Sequence, residues 1–190
     1  MPDEAVYQRK LTMTRDLLNK EMVVWEFGCG TGTTARTLSP HVNKIIATDF
    51  SKGMVDIARE KATAEGVTNV MFQQVSVEEA EIQKGSIDVV LAHSILHLVR
   101  DKEAAIQKAY DSLKPGGWFV SSTACINDFL KPLKYVAPLG RALGLLPNLT
   151  CFSQGELLSS FKKAGFSIHT EWKPESKKSK AVFVIAQKPK

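Results

Sequence analysis

The sequence predicts an α/β fold, a doubly wound, mainly parallel sheet with helices on both faces. Three observations carry this. Short, almost continuously apolar runs, such as "MVVWEF" at 22–27 and "SIDVVLA" at 86–92, have the composition of strands buried on both faces. Between such runs lie stretches of helical periodicity, opened by Ser or Asp and closed by Gly or Pro, so strand and helix alternate. A glycine-rich turn, "GCGTG" at 28–32, follows the first apolar run directly. Open parallel sheets bind ligands beyond the carboxyl ends of their strands, so this turn predicts where the chemistry sits.

The elements follow in order. Residues 4–20 carry Val6, Leu11, Met13, Leu17 and Leu18, which predicts a leading helix within a cap over residues 1–20. Met22–Phe27 is the first strand; Thr33–Leu38 opens a helix stopped by Pro40, and Lys44–Thr48 is a second strand ending on Asp49. Ser51 caps a helix with apolar face Met54, Val55, Ile57, Ala58 and Ala62, closed by Gly66. Val70–Val75 and Ser86–Ala92 are the third and fourth strands. Asp101 caps a helix over Lys102–Leu113, stopped at Pro115-Gly116-Gly117, and Trp118–Thr123 is the fifth strand. Ser153-Gln154-Gly155-Glu156 has the pattern of a capping box opening a helix to Ala164, before strands at Phe166–Trp172 and Ala181–Gln187. Only residues 124–152 break the alternation. They read as an apolar lid inserted at the ligand end of a single domain, 1–190.

Composition narrows the setting. The 190 residues carry a net charge of +5, and much of the excess lies in Lys173, Lys177, Lys178, Lys180, Lys188 and Lys190. A solvated hairpin loop explains that tail more simply than a nucleic-acid stripe. Cys29, Cys125 and Cys151 form neither a disulfide framework nor a CxxC pair, which fits thiols in a reducing, cytoplasmic setting. The N-terminus has no apolar signal-peptide core. The most apolar long stretch, 135–152, contains Arg141 and is cut by Pro138, Gly140, Gly144 and Pro147, so no membrane span is expected.

The glycine turn alone leaves its ligand open. Gly28 and Gly30 match the first two positions of the dinucleotide pattern G-x-G-x-x-G, but Thr33 holds the third and Gly32 comes one residue early. A triphosphate loop needs a lysine in the turn, and none occurs between Glu26 and Asn43. Asp49, 21 positions after Gly28, ends the second strand where a carboxylate accepts hydrogen bonds from the two ribose hydroxyls; capping the next helix is its bland alternative. Glu26 adds a negative charge ahead of the loop, which disfavours pyrophosphate and suits an ammonium group. The pattern points to adenosine joined to a cationic, phosphate-free group.

"VVWEFGCGTG", "IIATDFSKGM", "GSIDVVLAHSILHL", "LKPGG" and "AVFVIAQKP", in this order from about residue 20 to the end, resemble a class I S-adenosylmethionine-dependent methyltransferase, of the small-molecule type similar to the ubiquinone and menaquinone C-methylases. The resemblance implies a Rossmann-like seven-stranded sheet of order 3-2-1-4-5-7-6 with the last strand antiparallel. It implies S-adenosylmethionine as cofactor and S-adenosylhomocysteine as product, with Glu26, Gly28, Cys29 and Gly30 bordering the methionine part. Asp49 would bind the ribose, Phe50 and Met54 would flank the adenine, and Ser76, Val77 and Glu78 would follow the third strand. Relatives commonly carry an aspartate where this chain has Ser76, so the adenine contact passes to a weaker hydroxyl or to the Val77 backbone. The segment ahead of the first strand is shorter than many relatives' cap, and Tyr7 and Arg9 are candidates to close over the cofactor.

Methyl transfer from a sulfonium needs in-line placement within about 3–3.5 Å, and a base only where the acceptor is protonated. Ala92, His93, Ser94 and His97 follow the fourth strand beside the methyl position. His93 and His97, spaced i, i+4, share a face if the segment is helical, and a histidine suits base chemistry near neutrality. Filling space or bonding backbone is the plain alternative for both. Two histidines without a carboxylate fit a metal poorly, and none is expected. His41 and His169 read as bland. The lid supplies an apolar acceptor pocket with Tyr135 and, for an acidic group, Arg141; Tyr7 also faces this acceptor. The expectation is a small, fairly apolar acceptor and a monomer or homodimer. No nucleic-acid partner is expected, because the chain lacks the Pro-Pro-aromatic stretch of adenine methylases and the Pro-Cys of cytosine C5 methylases. A non-catalytic cofactor-binding module is the rival from another class, and an NAD oxidoreductase is disfavoured by Thr33 and Glu26.

Overall fold

A computed structural model describes residues 4–125, 150–174 and 181–190. The chain runs α1 (Glu4–Arg15), β1 (Val23–Phe27), α2 (Thr33–Leu38), β2 (Lys44–Asp49), α3 (Lys52–Ala64), β3 (Val70–Gln74), β4 (Ile87–His93), α4 (Lys102–Ser112), β5 (Leu113–Ala124), α5 (Gln154–Lys163), β6 (Ser167–Trp172) and β7 (Ala181–Gln187). A single 3₁₀ turn, Ser39–His41, follows α2. The seven strands form one sheet of order β3-β2-β1-β4-β5-β7-β6. The first five are parallel, and β7 lies antiparallel between β5 and β6.

Local chemistry fixes the elements. The Ser51 hydroxyl accepts the Met54 N–H at the start of α3, and the Asp101 carboxylate accepts the Ala104 N–H at the start of α4. Ser153 and Glu156 exchange side-chain-to-backbone bonds as a capping box on α5. Two apolar layers sandwich the sheet. One holds Trp25, Phe27, Val90, Phe119 and Phe161 against α4 and α5; the other holds Val24, Ile45, Val89, Leu91 and Phe183 against α1, α2 and α3.

Three expectations change. β5 begins at Leu113 rather than Trp118, because Pro115-Gly116-Gly117 continues the strand: the Gly116 N–H donates to the Lys188 carbonyl, and the Lys188 N–H to the Gly117 carbonyl, each at 2.9 Å. Lys188 is accordingly no solvated tail residue. Its ammonium donates to the Tyr110 and Leu113 carbonyls and lies 4.6 Å over the Tyr110 ring. α1 stops at Arg15, short of the predicted residue 20. Tyr135, Arg141 and most of the lid lie outside the described residues, as do Lys177, Lys178 and Lys180. Among the described residues, no helix is long and apolar enough to cross a membrane.

Candidate functional site

The carboxyl ends of β1, β2 and β4 converge on one cleft of about 330 Å³, lined on its apolar side by Phe27, Phe50, Val75, Ile95, Leu98 and Val99. Gly28, Asp49, Ser76, Glu78, Glu79 and Arg100 supply its polar rim. The glycine turn is shaped by close approach. A Cβ on Gly28 would lie 2.4 Å from Ile95, and one on Gly32 would lie 2.6 Å from the Phe72 ring, both at positive φ. Gly32 therefore does the close helix-to-strand packing that a dinucleotide turn assigns to its third glycine, one position later.

Two carboxylates sit under this turn. Asp49, 7% exposed, accepts the Gly30 N–H on one oxygen and the Ser51 N–H on the other, each at 2.9 Å. Each oxygen keeps a further lone pair toward the cleft. Glu26 is buried at the end of β1, and its Oε2 has no hydrogen-bond partner among the described residues. Burial pushes its carboxyl up to about 8; the Ala35 N–H opposes this and the Asp49 charge reinforces it. A buried acid with an orphaned oxygen fits a cationic ligand group, and the apolar lining fits a flat purine, so these residues suit the cofactor that the resemblance implies. The Cys29 thiol is pushed up by burial and by the two neighbouring carboxylates, so it is no nucleophile at neutral pH.

Other expected residues scatter more. Ser76 lines the cleft, but its hydroxyl already donates to Glu79 and accepts the Glu79 N–H. Val77 is buried and Glu78 exposed at the same corner. Met54 lies outside the cleft lining on α3 and is 44% exposed; Ala92 is fully buried in the sheet.

The two histidines do not share a face. After β4 the chain turns at Ser94 in the left-handed region (φ 55°) instead of continuing as a helix. His93, in register with Ser122, stacks on Phe183, with centroids 6.5 Å apart and planes within 6°. His97 Nδ1 lies 3.1 Å from the Thr123 hydroxyl, and Thr123 points to the face opposite Ser122. Burial, then the Lys10 charge, holds His93 down at about 4, so it is neutral and weakly basic at pH 7. Burial also lowers His97. The His97 carbonyl accepts the Thr150 N–H at 2.8 Å, which ties the end of the insertion to this turn. Tyr7 packs on the α1 side of the sheet with its hydroxyl buried and without a partner among the described residues, whereas Arg9 lies 4.5 Å over Trp172 on β6, away from the cleft.

Sequence reasoning missed Ile95, Leu98, Val99, Arg100 and Glu79 in the cleft. Their signal was position alone, in the loops after β3 and β4. It also missed Lys10, whose ammonium donates to Ser122 Oγ at 2.7 Å. Among the described residues, no group of three metal-ligating side chains occurs.

A family described as a methyltransferase domain matches residues 24–117. The uncharacterized methyltransferase YcgJ of Bacillus subtilis is 34% identical over 97 residues, 51% of this chain and 38% of that protein. The ubiquinone biosynthesis O-methyltransferase of Acinetobacter baylyi is 31% identical over 101 residues, 53% of this chain and 42% of that one. The tRNA 5-carboxymethoxyuridine methyltransferase of Escherichia coli is 30% identical over 100 residues, 52% and 38% of the two. The matched stretch thus spans less than half the length of each relative. The crystal structure of YcgJ superposes with a TM-score of 0.79 at 20% identity, covering 96% of this chain and 99% of that one, a likeness of fold.

Proposed function

We propose that this chain is a class I S-adenosylmethionine-dependent methyltransferase that transfers a methyl group to a small acceptor with a largely apolar body. The observation that carries the reading is the buried pair Glu26 and Asp49 beneath the glycine turn, with Glu26 Oε2 unpartnered among the described residues. Bound S-adenosylmethionine supplies an electrophilic methyl on a sulfonium and leaves as S-adenosylhomocysteine.

The chain's own residues do the rest. Glu26, at its raised pKa, gives up its proton when an ammonium group settles against it, which converts a neutral buried acid into a counter-ion. Asp49 uses its two remaining lone pairs for the ribose hydroxyls while its backbone bonds hold it still. Phe50 and the apolar wall cover the adenine, and the Val77 backbone takes over the contact that Ser76, occupied by Glu79, supplies weakly. His97, held at Nδ1 by Thr123, is the candidate to orient or deprotonate the acceptor; His93, stacked and weakly basic, helps shape the wall.

The relation to a tRNA methyltransferase supports a second reading, a nucleic-acid acceptor. One experiment separates them. Labelled S-adenosylmethionine is supplied to the protein with small-molecule extract or with total tRNA, and products are read by mass spectrometry. Label in a small molecule alone is expected; label in tRNA alone overturns the proposed acceptor class, and label in neither favours a non-catalytic cofactor-binding module.

A further inference from the structure

α1 lays one cation over the ends of β4 and β5. Lys10 is half-buried, and its ammonium donates to the neutral hydroxyl of Ser122, 112 positions away in the chain. Ser122 stands in register with His93 on β4 and Phe183 on β7, so the three form a row across the sheet on the side that α1 covers. His93 Nε2 is buried without a hydrogen bond from the described residues, as is the hydroxyl of Tyr7, one helical turn before Lys10. Among the described residues, no carboxylate pairs with Lys10. Taking an ammonium partly out of water without a counter-charge is unfavourable, and burial accordingly lowers the Lys10 pKa. Among the described residues this cation has no counter-charge, and two polar groups on the same side of the sheet have no hydrogen bond, a setting that suits an anion.

We propose that Lys10, braced by Ser122 and accompanied by His93 and Tyr7, receives a carboxylate of the methyl acceptor. This rests on the methyl-transfer reading above. The cofactor's own carboxylate is the other source of the same chemistry. Its neighbouring ammonium is assigned to Glu26 on β1, whereas Ser122, which braces Lys10, stands on β5, two strands away across β4. The acceptor is the source taken, and titration with the cofactor product separates the two. The acceptor class is then an acid with an apolar body.

The test uses benzoate and benzyl alcohol, alike in size and different in charge, titrated calorimetrically into the full chain saturated with S-adenosylhomocysteine. Benzoate is expected to bind about tenfold or more tightly than the alcohol, as a charge-assisted contact requires. The preference disappears in Lys10→Met and survives in Lys10→Arg. Equal binding of the two probes by the unaltered chain, or a preference that persists in Lys10→Met, overturns the proposal. S-adenosylhomocysteine should bind Lys10→Met as it binds the parent, which also reports an intact fold. A tenfold loss there that spares 5′-methylthioadenosine, which has no carboxylate, assigns Lys10 to the cofactor and ends the acceptor assignment. Failure of the unaltered chain to bind S-adenosylhomocysteine removes the methyl-transfer reading itself, a result distinct from lost benzoate preference.

Discussion

The two ends of the ligand-binding edge are built from opposite kinds of ionisable group, acids at one and bases at the other. At β1 and β2 two buried carboxylates, Glu26 and Asp49, lie under a turn of backbone N–H groups. At β4 and β5 the ionisable groups are Lys10, His93 and His97, each with burial lowering its affinity for a proton. The difference assigns the halves. An acidic, rigid corner suits a cation that must be held in one pose, while a neutral-to-basic corner suits an acceptor that donates electrons or carries negative charge. Gly28 and Ile95 join them, since the turn after β4 packs where a side chain on the glycine would stand.

The largest expected break of this contrast is Asp49→Ala. It removes the acceptor for two backbone N–H groups and for the ribose, so affinity for S-adenosylhomocysteine should fall about 100-fold or more by calorimetry, with a lower melting temperature. Unchanged affinity would remove Asp49 from the site. Next, His97→Ala strikes the other corner. Turnover should drop about 10–100-fold while S-adenosylhomocysteine affinity stays constant, and a loss of cofactor affinity instead would merge the two halves.

Glu26 gives a pH signature. Its native pKa of about 8 lies above the ordinary carboxyl value of 4.5, so between those limits the folded chain binds more protons than the unfolded one. Stability from this group is present below about 4.5 and is lost as pH rises through about 8. Glu26→Gln should therefore melt higher than the parent at pH 8 and flatten the pH dependence of the melting temperature; an unaltered slope would show that Glu26 is not the group responsible. The smallest effect is reserved for Ser76→Ala, about two- to fivefold in cofactor affinity, because the hydroxyl is already committed to Glu79. A loss as large as that of Asp49→Ala would restore Ser76 as the main adenine contact.

Legibility in the sequence divided along the same line. The acidic corner was readable because its residues are close in sequence and each has a stated chemistry: an apolar strand, glycines at a tight turn, and a carboxylate ending the next strand. The strands were readable because burial on both faces forces continuous apolar runs. β5 is longer than its sequence suggests, because Pro115-Gly116-Gly117 reads as a stop while in the sheet the glycines pair with Lys188, and Gly117 has backbone oxygens of Lys114 and Asp88 where a side chain would go. The other corner was hardly readable. The pairing of His93 with His97 assumed a helix, and one left-handed residue, Ser94, undoes it. Lys10 meets Ser122 only through tertiary packing across 112 positions, which no local pattern announces.

The central claim is that the acidic corner holds a sulfonium cofactor rather than a pyrophosphate one. Calorimetric titration of the full chain with S-adenosylhomocysteine, and separately with NAD, tests it most directly. A dissociation constant on the order of a micromolar is expected for S-adenosylhomocysteine. Heats that depend on the buffer at pH 7 are also expected, because Glu26 releases a proton on binding, and no heat with NAD. Binding of NAD with no response to either S-adenosylhomocysteine or S-adenosylmethionine would contradict the claim.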